Sequence, residues 1–410
     1  MTTTSRHPTA QPASPTSAPP RPHRLARLHW SLIAEPTDPV AQLARAVLGP
    51  EAALDLARDG SATDVLEHLG ERLPAEPSDP SGEQPMHRAQ RALERWRRRL
   101  ENLDIGTVLS QLEEHRIRVI VPADPDWPST LHDLGTGTPP CLYLRGGHAD
   151  DLRALLERPA LAVVGSRAST AAGEDIAASL GAGISARGHT VISGGAYGID
   201  SAAHRGALAD GQGRTAAVLA CGLDRLYPTG NARLLERLTQ ESVVISESPP
   251  GTAPTRWRFL ARNRLIAALA GAAVVVEAAH RSGALSTARW ADDLSRPVGA
   301  VPGPVTSAAS AGCHRLIRER GAVLITDAAQ ALELLPGGDP VADGRIQDEL
   351  DLLEPADRRV LDAVPPRSRR SIDELALDIG ASADDVQAAL GRLHLLGMVE
   401  VSQGQARRTR

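Results

Sequence analysis

From Arg256 to Arg264 the chain reads Arg-Trp-Arg-Phe-Leu-Ala-Arg-Asn-Arg, with no acid and the only phenylalanine among 410 residues. The whole protein carries a formal net charge of −5, so this segment reverses the local sign. Arginines interleaved with aromatic rings suit a polymer of phosphates with exposed bases. Guanidinium groups attract the backbone, and flat groups stack on unpaired bases. Taken alone, the run is slightly better read as a solvated basic stretch ahead of a helix, with Phe259 filling a core. Two glycine-rich turns upstream shift that balance. Gly165-Ser166-Arg167, followed by Ser169-Thr170 and Gly173, comes after one apolar, β-branched run. Ser193-Gly194-Gly195-Ala196-Tyr197-Gly198-Ile199-Asp200 comes after another. Glycine lets the backbone approach an anion, hydroxyls donate, and the helix that follows offers its positive end. Consecutive glycines expose N–H groups that can nest a phosphate. Asp200 reads as the cap of a helix beginning at Ser201.

Further turns have the same character: Cys221-Gly222-Leu223-Asp224 ahead of Tyr227-Pro228, Ser248 to Thr252, Ala279-His280-Arg281-Ser282-Gly283-Ala284, and Pro302-Gly303-Pro304. Each is weak by itself, because Gly and Ser dominate loops. Several on one rim, with Arg167, Arg256, Arg258, Arg262, Arg264 and Arg281 nearby, form a much stronger pattern. Enzymatic templates fit poorly. Gly165 and Gly173 are spaced wrongly for a dinucleotide fingerprint, and there is no Walker A sequence. Every basic residue is arginine, so a P-loop lysine or a Schiff base is excluded. Ser193, Asp200 and His204 lie too close on one turn and helix to act as a triad. Glu247 and Glu277, at strand ends, are expected to pair with neighbouring arginines rather than hold a metal. No cofactor and no metal are expected.

The elements that must position these residues show in the apolar pattern. Short runs at Leu161–Val164, Thr190–Ser193, Ala216–Leu219, Val243–Ser246, Ala273–Glu277, Val298–Val301 and Ala322–Ile325 alternate with Ala-rich helical stretches such as Ala171–Arg187 and Arg289–Ser295. That alternation predicts an α/β fold, a doubly wound, mostly parallel sheet. Arg118–Val121 and Cys141–Leu144 extend it. In such a sheet the strand-to-helix turns share one rim, where ligands bind. Residues 113–337 form this domain. A disordered tail (1–24) and a helical N-terminal domain (25–112) precede it, the latter interrupted by a Pro/Ser/Glu-rich stretch from Pro74 to Pro85 and carrying a basic run, Arg95-Trp96-Arg97-Arg98-Arg99, read as a solvated face. After it come an acidic linker (338–354) and a winged-helix pattern (355–405): helices near Arg359–Val364, Ser371–Ile379 and Ser382–Leu396, then a strand at Gly397–Val401. The third helix opens on Asp384-Asp385, which suits protein contact better than a duplex backbone.

Overall acidity excludes a protein coated with nucleic acid over its whole surface; any binding must be focused in one cleft. Three scattered cysteines, Cys141, Cys221 and Cys313, fit buried thiols in a reducing cytoplasm. No apolar run is long enough to span a bilayer, so no membrane partner is expected.

The motif set Gly165-Ser166-Arg167, Ser193 through Asp200, Ala203-His204, Gly222-Leu223-Asp224, Tyr227-Pro228, Arg262-Asn263-Arg264 and Ser282-Gly283-Ala284 resembles the DNA-processing family called DprA or Smf, in order and spacing, over about half the chain. The resemblance implies a Rossmann-like domain that binds single-stranded DNA without strong sequence preference. It also implies a non-enzymatic role, protecting incoming DNA and loading the recombinase RecA during natural transformation, and homodimers formed through that domain. Carried over, the DNA pocket comprises Gly165, Ser166, Arg167, Ser193, Gly194, Gly195, Ala196, Arg256, Phe259, Arg262, Asn263, Arg264, Ser282 and Gly283. Arginine stands where many members have lysine, which favours bidentate phosphate contacts. The chain departs from the family at Ala34–Pro39, which lacks the Gly-x-Gly hairpin of the usual N-terminal module. The rival reading is a nucleotide-processing enzyme of the phosphoribohydrolase type, whose Pro-Gly-Gly-x-Gly-Thr-x-x-Glu loop has no counterpart here.

Overall fold

The computed structural model describes residues 21–70, 73, 84–147, 152–209, 211–337, 353–365 and 368–409. The expected tail up to residue 20, most of the Pro74–Pro85 stretch and the linker from 338 to 352 lie outside them. Two compact units are present, Met1–Pro340 and Val341–Arg410.

Six helices open the first unit: α1 (Arg21–Ile33), α2 (Pro39–Leu48), α3 (Pro50–Asp59), α4 (Ala62–Leu69), α5 (Pro85–Glu101) and α6 (Ile105–Glu114). Helix α1 already begins at Arg21, so residues 21–24 are not part of a disordered tail. Pro39 and the Asp38 carboxylate, which accepts the Val40 and Ala41 amides at 3.1 Å, start α2. Ser61 and Asp64 form a reciprocal capping box on α4. The core is anchored by Trp30 and Trp96, edge to face at 5.1 Å. Their indole N–H groups donate to the Pro50 carbonyl and the Asp38 carboxylate. The basic run of α5 is therefore only in part a solvated face: Arg98 and Arg99 are exposed, yet three of the four arginines have partners in this unit. Arg95 pairs with Asp38 at 3.3 Å, Arg97 donates to the Ala57 and Arg58 carbonyls, and Arg99 pairs with Glu35 at 2.7 Å.

All nine apolar runs become strands. In chain order the elements are β1 (Arg118–Ile120), β2 (Leu142–Arg145), α7 (Leu152–Leu155), β3 (Leu161–Val164), α8 (Ala171–Ala186), β4 (Val191–Ser193), α9 (Ile199–Ala207), β5 (Thr215–Leu219), α10 (Ala232–Glu241) and β6 (Val243–Ser246). Then follow α11 (Arg256–Leu269), β7 (Ala272–Val275), α12 (Ala284–Asp293), β8 (Val298–Ala300), α13 (Ala311–Arg320), β9 (Val323–Leu324) and α14 (Ala328–Glu333). The sheet order is β1-β2-β6-β5-β4-β3-β7-β8-β9. The seven strands from β6 to β9 in that order are mutually parallel, while β2 joins β6, and β1 joins β2, antiparallel. The chain winds outward from β3 to β6, then returns through α11 to place β7 on the other side of β3, with Leu161 opposite both Val191 and Ala272. The crevice beyond β3 and β7 is thus the topological switch point.

Alternate residues of the central strands enter different cores, as a two-sided sheet requires. Leu161, Val163 and Val191 pack with Leu180, Ile184 and Ile199 of α8 and α9, while Val164, Ile192 and Val275 pack with Leu265, Ile266 and Leu269 of α11. Each such side chain contributes about 1.5–3 kcal/mol by leaving water. Helices α8 and α9 cross closely because Gly181 and Gly206 lack side chains. A Cβ on either would lie 2.2 Å or less from a carbonyl oxygen of the other helix.

The second unit has its own core. It contains α15 (Pro355–Ala363), β10 (Arg370–Ser371), α16 (Ile372–Ile379), α17 (Ala383–Leu395), β11 (Val399–Ser402) and β12 (Gln405–Arg408). Ser371 forms a capping box with Glu374, and Ser382 caps α17. The expected strand is one of three, ordered β10-β12-β11. Its partner β12 carries no apolar pattern in sequence, because Gln405-Ala406-Arg407-Arg408 buries only Ala406.

Candidate nucleic-acid interface

A cleft of about 800 Å3 opens at the switch point. Its walls are Gly165–Ala168 after β3, Ala196 after β4, Tyr227, the start of α11, and the loop from Ala279 into α12. Local chemistry holds each wall. The Thr170 hydroxyl caps α8 by accepting the Gly173 amide. The Glu277 carboxylate accepts both the Thr170 amide at 3.0 Å and its hydroxyl at 2.6 Å, and the Ser166 amide donates to the Glu277 carbonyl. Among the described residues Glu277 therefore has no arginine partner, contrary to expectation; it ties the end of β7 to the β3 loop. Thr255 caps α11, and the Asn263 amide donates to the Gly283 carbonyl at 3.3 Å, linking α11 to the α12 loop.

Helical spacing sorts the arginine run by direction. Arg256, Phe259, Leu260, Arg262 and Asn263 line the cleft. Trp257 and Arg258 turn to the N-terminal helices, where the indole donates to Thr37 and Arg258 pairs with Glu35 at 2.9 Å. Arg264, expected in the DNA pocket, is instead 1% exposed and bonded to Glu247 at 2.5 Å. Two residues on a helix differ by about 200°, so Arg262 and Arg264 cannot face the same way. Burial pushes the Glu247 carboxyl up and Arg264 opposes it. The expected pairing of that acid with an arginine is met, but in the interior.

Phe259 is half-buried and stands at the cleft wall. The Arg167 guanidinium lies over its ring at 4.3 Å, Arg262 sits 5.8 Å from the ring centre, and Tyr227 is tilted beside it at 6.1 Å. Arg167, Arg256 and Arg281 are exposed. Arg262 is buried beneath Gly194, donating to the carbonyls of Gly194 at 2.8 Å and of Val218. A Cβ at Gly194 would lie 2.5 Å from that guanidinium, so a side chain there would push Arg262 out of its place. Burial pulls Arg262 down to about 10, which leaves it charged at neutral pH.

The Ser193–Asp200 turn differs most from expectation. Ser193 donates its hydroxyl to the Val163 carbonyl, and Asn231 donates to the Gly195 and Ala196 carbonyls. The Gly194 amide donates to Asp200 at 3.2 Å. The donors expected to nest a phosphate thus meet the chain's own carboxylate. Asp200 does not cap α9: Gly198 holds that position and Asp200 is the second helical residue. Burial raises the Asp200 carboxyl, opposed by Arg262, the Ala196 and Gly165 amides and Arg167. Of Ser193, Gly194, Gly195 and Ala196, only Ala196 lines the cleft. His204 is fully buried against Thr215, so it forms no triad with Ser193.

The cleft also gathers Tyr227, Leu260, Ser286 and Thr287, outside the expected pocket. Tyr227 stood in a recognisable Tyr-Pro turn; Ser286 and Thr287 follow Gly283 by three and four residues, the helical spacing of one face. Among the described residues no three His, Cys, Asp or Glu side chains form a metal-binding group, and no helix is long and apolar enough to cross a membrane.

Comparison with known proteins agrees with this architecture. The chain is 42% identical over 403 residues to a DprA-named DNA processing protein of Mycobacterium tuberculosis strain H37Rv, covering 94% of each chain. It is 32% identical over 326 residues to protein Smf of Synechocystis, covering 72% of this chain and 81% of that one. The X-ray structure of DNA processing protein A from Streptococcus pneumoniae superposes with a TM-score of 0.58 at 29% identity, covering 77% of this chain and 98% of that one. The family model for DNA recombination-mediator protein A matches residues 118–336, the whole sheet and every wall of the cleft, and the chain belongs to that family.

Proposed function

We propose that the cleft binds single-stranded DNA without strong sequence preference, and that the protein holds such a strand for a RecA-type recombinase during recombination or natural transformation. One observation carries this reading. Arg167, Arg256, Arg262 and Arg281 converge around Phe259 and Tyr227, and the only acid on the wall, Asp200, is already engaged by backbone amides. Charge for phosphates beside rings for bases is the combination a single strand needs, whereas a duplex hides its base faces. Arg167, Arg256 and Arg281 take phosphates. Phe259 and Tyr227 offer stacking surface, the Ser166 and Ser282 hydroxyls and the Gly283 amide serve as donors, and Gly165 lets the backbone come close. Ser193, Gly194, Gly195, Arg262 and Asn263 keep the floor in shape.

Edge strand β9 leaves Val323 and Leu324 half exposed, which supports a homodimer formed through the sheet domain. The buried free thiols Cys141, Cys221 and Cys313 fit a reducing cytoplasm. The reading requires no nucleophile, cofactor or metal. The test is a binding isotherm of the full chain on unstructured oligothymidylate across a salt series. If roughly four phosphates are neutralised, log K should fall against log salt with a slope of about −3. A flat response, equal affinity for duplex, or hydrolysis of nucleotides would overturn the assignment.

A further inference from the structure

A second groove of about 550 Å3 lies between α12 and α13. It shares Arg281, Ser282 and Ser286 with the cleft, so the two are separated only by the loop and first turn that open α12. Five arginines line it against a single acid, Asp292. Two of the five are engaged elsewhere: Arg296 pairs with Asp133, and Arg320 with Asp292 at 3.7 Å. Arg281, Arg289 and Arg315 make no ion pair within 4 Å among the described residues. Outside the lining, Glu319 is held below the usual carboxylate range first by its bond from Arg318, with weaker help from Arg315 and His280. No Phe, Tyr or Trp lines the groove, unlike the cleft.

Helix geometry makes the path continuous. Ser286 and Arg289 are three residues apart, on one face of α12. From Ala284 to Arg289 the helix rises about 7.5 Å. A strand leaving the cleft past Arg281 thus meets the next positive group without turning away from the protein.

Resting on the single-stranded DNA reading above, we propose that this groove is a continuation site for the same strand, and that it takes sugar-phosphate backbone through Arg281, Arg289 and Arg315. Bases are read in neither sense here, because nothing flat is present to stack on them. The cleft therefore supplies stacking and the groove supplies charge, so the second site counts only for strands long enough to span both.

Fluorescence anisotropy with the full chain on oligothymidylates of 6 and 20 nucleotides separates the two sites. Arg289→Ala combined with Arg315→Ala should weaken the 20-mer roughly five- to tenfold and reduce the magnitude of its salt slope by about 1.4, two phosphates at ~0.7 each. Hexamer affinity should stay within about twofold. Conversely, Asp292→Asn removes the lining acid and should tighten the 20-mer about two- to threefold, with no change on the hexamer. Unaltered 20-mer binding in the double variant would overturn the continuation site while leaving the cleft standing, as would equal losses on both lengths. Wild-type protein that binds neither oligonucleotide would overturn the DNA reading itself and this site with it.

Discussion

Arg167 and Phe259 work as a pair. The guanidinium rests on the ring at 4.3 Å, so the ring orients a charge that would otherwise sweep through solvent. Arg167→Ala should cut single-strand affinity more than loss of any other exposed cleft arginine. Its thermal unfolding should stay unchanged, because the side chain is exposed. Normal affinity with normal unfolding would remove Arg167 from the site. Phe259→Ala should cost about 1–3 kcal/mol of DNA binding. The ring is only half-buried and belongs to none of the core clusters, so folding should lose less than the ~3–5 kcal/mol typical of a buried ring. A large fall in unfolding midpoint with DNA affinity preserved would show a core plug instead. His204 offers a pH test. Thr215 donates its hydroxyl to the Val191 carbonyl at 2.9 Å, so it accepts from His204 Nδ1–H, and Nε2 is left bare and buried. Burial first, then Arg262, lowers this imidazole from 6.5 to about 3. Since the folded value is depressed, the unfolded chain binds the extra proton as pH falls below 6.5, and stability is lost progressively toward the folded value. Urea denaturation should show a slope of about 1 kcal/mol per pH unit between roughly pH 6 and 4 from this group. His204→Leu should flatten that slope; an identical pH profile would mean that other groups set it.

Helix α11 serves three neighbours at once, and the loop Ala34–Pro39 explains how. That loop, without the glycine hairpin, docks on α11: Glu35 accepts Arg258 and Arg99, Thr37 accepts the Trp257 indole, and the Pro36 carbonyl accepts Arg264. Although burial alone would raise it, the Arg99 and Arg258 bonds hold the Glu35 carboxyl below the usual range. Glu35→Gln should lower the stability of the first unit by about 1–2 kcal/mol, the worth of a charge-assisted bond. DNA affinity should change less than twofold, because the opposite side of α11 faces the cleft. An unchanged unfolding midpoint would show that apolar packing alone docks the N-terminal helices.

At the scale of the whole molecule, two units with separate cores imply separable roles. Helix α17 opens with Asp384 and Asp385, and Ser382 spends its hydroxyl on Asp385. That acidic end opposes a phosphate backbone. A chain ending at Pro340 should therefore fold cooperatively and bind oligothymidylate within about twofold of the full protein. A tenfold loss would assign DNA contact to the second unit. The net charge of −5 belongs here too, since overall acidity disfavours binding over the whole surface and would confine a nucleic acid to the proposed cleft and groove.

Features with local causes were legible in the residue order. Nine short apolar runs, the helices that start at Ser371 and Ser382, and the turns that suit an anion all depend on neighbours within a few positions. They predicted the doubly wound sheet, its rim and cleft walls that include Gly165–Arg167, Arg256, Phe259, Arg262, Asn263, Ser282 and Gly283. Direction and pairing were not legible. Which arginine of the run faces the cleft depends on partners 17, 68 and 223 positions away, in Glu247, Gly194 and Glu35. The same holds for Asp200, whose burial under the glycine turn converts an apparent cap into the anion that the turn holds. Motif spacing reports which groups sit near one another along the chain. Only packing decides whether a charge meets water, a carboxylate or an open groove, because the cost of burying it is set by residues brought together from distant parts of the chain.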